Sequence, residues 1–402
     1  MTFVSSDSSV TRKEDRLMSL DVLRGFAVAG MILVTDPGTY SAVYWPFLHA
    51  EWNGATPTDM IFPAFLFAVG LAIPLAFASR VERGQSRGLL AGHVLIRSGI
   101  IFFIGLTING FPDYDLHTVR IPGVLQRIAL CYLCGSLTYL GISRKEEVES
   151  ESGKSQRILS LAGIAAFLLA AYWALLKLVP VPGFGPGRLE SLGNLGAYMD
   201  RAIFGIRHLW TWGLTPGYGV TFDPEGLLST IPAIANLMIG MIAGEWLRTK
   251  HPRTRKVAIL ASVGILLTLI GWLLHPLLPI NKKLWTSTFA LFSGGVSLIG
   301  FSAFYSILDI KRWRGWAAPF LVFGTNAILA FTLSNVITSL SDRIHCSLSD
   351  RSTLTMHEWG YRRVFATWLS PVHASLAYAI TIVLFNLAVL YPLYRKRILL
   401  RV

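Results

Sequence analysis

The chain has 402 residues, of which 53% are hydrophobic and only 15% are charged. This balance excludes an ordinary soluble globular domain and is typical of a multi-pass membrane protein. The formal net charge of +13 would suit a nucleic-acid-binding protein. The basic residues, however, stand in short clusters between apolar segments, as they do when charge sets membrane topology. We therefore predict an all-α polytopic membrane protein with no nucleic-acid partner.

The apolar segments predict about ten transmembrane helices, because each approaches or exceeds the roughly 20 residues that cross a bilayer. They lie at residues 17–36, 58–79, 90–110, 122–142, 158–180, 226–247, 257–280, 286–308, 317–340 and 366–394. Residues 1–16 form a polar tail that we predict to be cytoplasmic. Residues 17–402 would then form a single transmembrane domain.

The lysines and arginines predict the orientation of these helices. If the N-terminus is cytoplasmic, the segments on its side hold 22 of the 36 basic residues and the opposite side holds 10. Because cytoplasmic loops are enriched in basic residues, we predict that both termini are cytoplasmic. The extracytoplasmic loops are then residues 37–57, 111–121, 181–225, 281–285 and 341–365. The loop near 181–225 is rich in glycine and proline and contains aromatic residues, so we expect it to be ordered.

The first predicted helix contains Asp21 and Arg24, one turn apart on one face. Charged side chains inside a bilayer are costly and usually face a partner or a cavity. One interpretation is an interfacial ion pair, with Arg24 reaching the lipid headgroups. The other places Arg24 at the mouth of a cytoplasmic cavity, where it meets an anionic group such as a phosphate. The helix ends at Asp36, beside Pro37, which disfavours its continuation.

The next loop carries unusual chemistry in "FLHAEWNG", residues 47–54. A membrane loop can hold a lone histidine for solubility alone. Here His49 stands with Glu51, Trp52 and Asn53, and Asp59 enters the following helix. This grouping favours a polar pocket over a plain surface. Because imidazole titrates near neutral pH, His49 suits a proton acceptor for an amine or hydroxyl nucleophile.

Three further extracytoplasmic segments combine carboxylates, amides, cations and aromatic residues, which are the groups that typically bind a sugar. The two carboxylates among them also precede a helix, and that position alone would account for them. The residues are Arg120, Gln126 and Arg127, then Asp223 and Glu225, then Asn281, Lys283 and Trp285.

These stretches also carry a family resemblance over nearly the whole chain, from Arg16 to the end. They read "SLDVLRGFAVAGMILV", "LHAEWNGATPTDMIFPAFLF", "VRIPGVLQR", "FDPEGLLSTI", "INKKLWTSTFAL" and "YPLYRKRI". The sequence resembles a bacterial member of the heparan-α-glucosaminide N-acetyltransferase family, within a larger superfamily of transmembrane acyltransferases. The resemblance implies transfer of acetyl from cytoplasmic acetyl-CoA to the amino group of glucosamine or a terminal glucosaminide across the membrane. It also implies that His49, in the L-H-A-x-W-N-G motif, is catalytic.

The first span departs from the family pattern, which has an asparagine at its end; this chain has Thr35 followed by Asp36. A negative Asp36 would repel a developing oxyanion. The predicted catalytic residues are His49, Asp59, Thr35 and Asp36. Those expected to bind the sugar are Glu51, Trp52, Asn53, Arg120, Gln126, Asp223, Glu225, Asn281, Lys283 and Trp285. Those expected to bind acetyl-CoA are Arg24, Arg127 and Asn326.

Several alternatives stay open. His49 could act as a general base or carry the acetyl group itself. An O-acyltransferase of a cell-envelope glycan would use the same scaffold, and an amino-sugar transporter would have similar spans, although we find no inverted repeat to favour it. No cluster has metal-ligand spacing, so we expect no metal. The expected partners are acetyl-CoA, an amino sugar, membrane lipids and a second copy in a homodimer. The short loops and the lack of eukaryotic targeting signals favour a bacterial inner membrane.

Overall fold

The computed structural model describes residues 17–143, 150–347 and 353–398. The predicted cytoplasmic tail, residues 1–16, lies outside the described residues. The α-helices, in chain order, are α1 Met18–Thr35, α2 Ile61–Glu82, α3 Arg87–Gly110, α4 Val124–Ile142, α5 Glu151–Leu178, α6 Leu195–Phe204, α7 Thr230–Leu247, α8 Arg253–Leu273, α9 Ser287–Phe304, α10 Ala318–Thr325, α11 Ala327–Arg343, α12 Met356–Trp359 and α13 Pro371–Arg395.

Shorter elements connect these helices. The 3₁₀ turns are Trp45–Phe47, Pro57–Met60, Ile206–His208 and Gly315–Ala317, and the π-helical turns are Tyr305–Ile310 and Gly360–Phe365. The strands are β1 Leu214–Thr215, β2 Gly219–Val220, β3 His345–Ser347 and β4 Thr353–Thr355, paired antiparallel as β1–β2 and β3–β4. Such small hairpins leave the protein essentially helical, so the all-α prediction is confirmed.

Nine helical stretches of the described chain are long and apolar enough to cross a membrane: α1 to α5, α7 to α9 and α13. The predicted ninth span, residues 317–340, is instead a broken helix in which α10 and α11 are bent by 77°. Counting this pair as one span gives the expected ten. The bend lies at Asn326, whose φ of −128° and ψ of 47° interrupt the helix.

Next to the break at Asn326, helices α1 and α10 are in close contact. A Cβ atom on Gly324 would lie 1.9 Å from the backbone oxygen of Asp21, and one on Gly25 would lie 1.7 Å from the backbone oxygen of Phe320. Only glycine permits such backbone contact. The short helix α10 can therefore press onto α1 while α11 continues in another direction.

Helix α7 lies at the centre of the bundle. In its most apolar stretch of 18 residues, 78% is buried, whereas the corresponding share is 22% for α5, α8 and α13. The outer faces of these peripheral helices carry exposed apolar side chains such as Phe167, Ile265 and Phe385. Apolar side chains on the outside are what lipid contact requires. The buried core thus follows α1, α2, α4, α7 and α9, around which the other helices are arranged.

The helices alternate in direction, so the connecting segments gather at two ends. The His49 end consists of the segments after α1, α3, α5, α8 and α11. Both ends of the described chain lie towards the opposite end. Met18, the second described residue, donates its N–H to Asp309 Oδ1 at 3.2 Å, and Ile398, the last, accepts a hydrogen bond from Asn326 Nδ2 at 3.1 Å.

A buried ion cluster ties α4, α5 and α7 together at the opposite end. Glu245, with no exposed surface, accepts hydrogen bonds from Arg157 Nε at 3.1 Å and Arg248 Nη1 at 3.0 Å. The hydroxyl of Tyr139 also donates to the Glu245 carboxylate. A buried carboxylate is tolerated only when charge and hydrogen bonds compensate it, and here both do.

Candidate active site

His49 and Asp59 form a hydrogen-bonded pair at the His49 end. Asp59 Oδ1 lies 2.6 Å from His49 Nδ1. The Asp59 carboxylate is 1% exposed, and its other oxygen accepts the backbone N–H groups of Thr56 at 2.9 Å and Ala50 at 3.2 Å. These donors fix the carboxylate, and the carboxylate in turn fixes the imidazole ring.

The local sequence explains this placement. Thr56 and Asp59 form a capping box at the start of the turn Pro57–Met60, and Pro57 stands at the first helical position. A capping box satisfies backbone donors that a helix start leaves free, and proline there has no N–H to lose. "TPTD" thus aims the Asp59 side chain back at the loop that carries His49.

The imidazole of His49 is arranged as a proton acceptor. With Nδ1–H donating to Asp59, the lone pair of Nε2 is left to accept a proton, and the side chain is 44% exposed. Partial burial and the positive charge of Lys282 lower the pKa of His49 from its ordinary 6.5, and Asp59 opposes this change. His49 is therefore mostly neutral at neutral pH, the form that a general base requires.

The loop with His49 is joined to the turn before α9. Three hydrogen bonds connect them: Gly54 N to Ile280 O at 2.7 Å, Asn281 Nδ2 to Asn53 Oδ1 at 3.2 Å, and Lys283 Nζ to Glu51 O at 2.5 Å. Gly54 has a φ of +102°, a conformation that strongly favours glycine. The structure thus brings Glu51, Asn53, Asn281 and Lys283 together.

Aromatic residues form one wall of this region. Trp52 Nε1 donates to Leu189 O at 2.9 Å, and its ring meets Phe222 edge to face at 5.1 Å between centroids. The Lys283 ammonium lies 5.9 Å from the Trp52 ring centroid and 5.8 Å from that of Phe222. Trp52 thereby joins the His49 loop to the segment before α7.

Arg120, Asp223 and Glu225 form an ion cluster beside that wall. The Arg120 guanidinium donates to Asp223 at 2.6 and 2.8 Å and to Glu225 at 2.6 Å, and Lys282 Nζ lies 3.8 Å from Glu225. Burial opposes ionisation of Glu225, but Lys282 and Arg120 nevertheless hold its pKa at about 2. Both carboxylates are therefore engaged by cations of the protein itself.

Gln126, Arg127 and Trp285 lie deeper in the bundle and are 3%, 1% and 0% exposed. Arg127 donates to Gly226 O at 3.0 Å and to the Ser229 hydroxyl, and its guanidinium carbon lies 5.1 Å from the Trp285 ring centroid. Within the described residues, Nε and Nη1 of Arg127 have no hydrogen-bond partner. A buried cation with open donors is suited to an oxygen-bearing ligand.

Thr35 and Asp36 belong to a separate hydrogen-bond network. Thr35 Oγ1 donates to Met31 O at 2.8 Å within its own helix. The Asp36 carboxylate accepts the hydroxyls of Ser334 at 2.8 Å and Thr338 at 2.6 Å, both from α11. None of these hydrogen bonds, all between described residues, joins this network to the His49–Asp59 pair.

Arg24 and Asn326 lie in the half of the bundle nearer the opposite end, beside the α1–α10 contact. Arg24 Nη1 is 3.7 Å from Asp21 Oδ1, and its side chain is 27% exposed. Both interpretations of Arg24 are compatible with this geometry, since a partly exposed guanidinium can also meet a phosphate. In the described part of the chain, no group of three or more His, Cys, Asp or Glu residues is arranged to hold a metal ion.

Comparison with known proteins gives a consistent family similarity. Residues 16–148 match the family model for heparan-alpha-glucosaminide N-acetyltransferase, catalytic. The heparan-alpha-glucosaminide N-acetyltransferase of Homo sapiens is 31% identical over 354 residues, covering 79% of this chain and 52% of the relative. That of Mus musculus is 33% identical over 365 residues, covering 80% and 54%. Over the matched residues, the chain is similar to the heparan-α-glucosaminide N-acetyltransferase family. It spans about half the length of these curated relatives.

The region that matches the family model contains His49, Asp59, Arg120 and Arg127. The predicted list omits Thr56, Lys282 and Phe222, which the structure adds to the same region. The threonine was visible in the sequence as the first residue of a capping box. Lys282 and Phe222 stand next to residues already singled out, but adjacency in sequence does not tell which side chain faces the site.

Proposed function

We propose that the chain is a membrane acetyltransferase that moves acetyl from acetyl-CoA to the amino group of glucosamine or a terminal glucosaminide. The observation that carries this proposal is the His49–Asp59 pair, in which Asp59 holds Nδ1 of a partly exposed imidazole. Both curated relatives are named heparan-alpha-glucosaminide N-acetyltransferase, and that name supports the choice of an amine acceptor.

In the proposed reaction, His49 Nε2 takes a proton from the acceptor amine as its nitrogen attacks the thioester carbonyl carbon. The C–N bond forms, the C–S bond breaks, and the thiolate of CoA leaves and receives the proton from the imidazolium. Asp59 stabilises the imidazolium and holds the ring in one tautomer. Transient acetylation of His49 would need two covalent steps, so direct transfer is the simpler scheme.

We propose that acetyl-CoA enters from the opposite end, which would face the cytoplasm of a bacterial inner-membrane protein. Arg24 would meet its phosphates, Asn326 would lie beside its path, and the open donors of Arg127 would bind a carbonyl oxygen of its arm. The sugar would bind at the His49 end, beside the joined loop of residues 51–54 and turn of residues 280–285.

The proposal is tested with the full chain purified in detergent and given radiolabelled acetyl-CoA and glucosamine. The expected product carries the label in an amide, which survives mild base. An ester, which mild base cleaves, would indicate transfer to a hydroxyl and would contradict the proposed acceptor. Absence of labelled sugar across a series of amino sugars would contradict acetyl transfer to this substrate class.

A further inference from the structure

The ammonium of Lys283 is held by groups that bind cations well. It donates to Glu51 O at 2.5 Å and lies 5.9 and 5.8 Å from the ring centroids of Trp52 and Phe222. Two aromatic rings within about 6 Å and a carbonyl oxygen are the arrangement with which proteins recognise ammonium groups. We call Trp52, Phe222 and the carbonyl of Glu51 the ammonium cage.

The cage is rigid without the lysine. Trp52 is anchored by its indole N–H to Leu189 O at 2.9 Å and packs against Phe222, which is 5% exposed. The backbone that presents the Glu51 carbonyl is held by the hydrogen bond from Gly54 N to Ile280 O at 2.7 Å. The two rings and the carbonyl thus come from two segments, each of which is held by contacts that do not involve Lys283.

Lys283 is the adaptable member of this arrangement. Its side chain has four flexible carbons and can withdraw into solvent while its backbone stays in the turn. Burial lowers the pKa of Lys283, and the neighbouring Lys282 lowers it further. Holding the charged Lys283 ammonium in the cage therefore costs free energy, and this cost favours its displacement by another cation.

The cage lies next to the reacting pair, because Glu51 is two residues from His49 and Trp52 is three residues from it. We propose that Trp52, Phe222 and the Glu51 carbonyl bind the acceptor sugar in its protonated form, and that the Lys283 ammonium is its internal competitor. The bound sugar releases one proton to solvent to give the free amine before the attack on the thioester. This inference rests on the proposed function, since it concerns the acceptor of that reaction. It makes the cage a selector for amines over hydroxyls, because a neutral hydroxyl gains no cation–π attraction.

Binding of glucosamine and of glucose to the full chain in detergent tests the inference by calorimetry. At about pH 6 the amine of glucosamine is protonated, and glucose differs by an uncharged hydroxyl at the same carbon. In Lys283→Met, the competitor is gone, so glucosamine should bind roughly 2- to 30-fold more tightly, the range that cation–π energies correspond to. Glucose affinity should stay unchanged.

Matched variants separate charge from structure. Lys283→Arg keeps a cation in the cage and should show no gain in glucosamine affinity. Lys250→Met, which removes a lysine at the opposite end, should bind both sugars like the wild type. Phe222→Leu or Trp52→Leu, added to Lys283→Met, should abolish the gain for glucosamine. The inference is overturned if Lys283→Met weakens or leaves unchanged the binding of glucosamine, or tightens both sugars alike.

These measurements need no acetyl donor and no turnover. Amine selectivity in binding, combined with no acetyl transfer in the product assay, would therefore contradict the proposed function and still support the cage. Acetyl transfer, combined with an unaltered preference of Lys283→Met for glucosamine over glucose, would contradict the cage and leave the proposed function supported.

Discussion

Asp59 and His49 are joined through Oδ1 and Nδ1 at 2.6 Å, and Asp59 is itself held by backbone N–H groups on its other oxygen. The Nδ1 side of the imidazole is therefore fixed, which leaves Nε2 of His49 to exchange a proton. A base supported in this way keeps its orientation while it exchanges a proton.

The first prediction concerns the carboxylate. Asp59→Asn keeps the size of the side chain but removes the charge that stabilises the imidazolium. We expect kcat to fall by roughly 10²- to 10⁴-fold, the usual range for loss of general base function, with acetyl-CoA binding retained. Steady-state kinetics and calorimetry measure the two effects. Asp115→Asn, an exposed aspartate at the same end, is the control, and equal losses in both variants would refute this role.

The second prediction concerns pH. Partial burial and Lys282 lower the pKa of His49 below 6.5, so kcat/KM should stay high until the pH falls below that value. Lys282→Met removes a nearby positive charge, which makes protonation of His49 easier and raises its pKa. The acid limb of the kcat/KM profile should therefore move to higher pH, whereas Lys282→Arg should leave it in place. An unmoved limb in the methionine variant would show that Lys282 does not act on His49.

The third prediction concerns the buried ion cluster at the opposite end. Glu245→Gln leaves Arg157 and Arg248 without their carboxylate inside the bundle. Loss of one partner of a buried ion pair costs about 3–5 kcal/mol, so unfolding should begin at a clearly lower temperature. Thermal unfolding in detergent, followed by tryptophan fluorescence, measures the shift. Glu151→Gln, whose carboxylate is 42% exposed, should change little, and equal shifts would contradict the assignment.

The fourth prediction concerns the contact between α1 and α10. In Gly324→Ala the new methyl group would lie 1.9 Å from the Asp21 backbone oxygen, so α10 must move away from α1. Overpacking of this kind costs about 1–3 kcal/mol. Gly163→Ala adds the same methyl group to α5 with nothing within 4 Å. It should be neutral or slightly stabilising because alanine favours helices. The same unfolding assay compares them, and a stable Gly324→Ala would refute the close contact.

The sequence alone predicted the helical membrane fold, because apolar segments of about 20 residues are typical of transmembrane helices and rare elsewhere. The predicted span of residues 122–142, for example, corresponds to Val124–Ile142. The break at Asn326 escaped prediction, since its flanks are as apolar as an unbroken span. It accompanies the packing of Gly324 on α1, a contact between residues about 300 positions apart.

The candidate site was predictable in part for a related reason. His49 and Asp59 stand within one short stretch, so a loop and a turn bring them together locally. The partners of Asp36 lie on α11, and those of Glu245 include Arg157 on α5 and Tyr139 on α4. Such long-range pairings follow from helix packing, which a linear pattern of residue types does not encode.

The most direct test of the central claim compares acetyl transfer to glucosamine by the wild type and by His49→Ala, with His117→Ala as the control. His117 is an exposed histidine at the same end. We expect the wild type and His117→Ala to form labelled N-acetylglucosamine at similar rates. His49→Ala should be slower by at least about 10²-fold while still binding acetyl-CoA. Transfer by His49→Ala at the wild-type rate would contradict a reaction centred on His49.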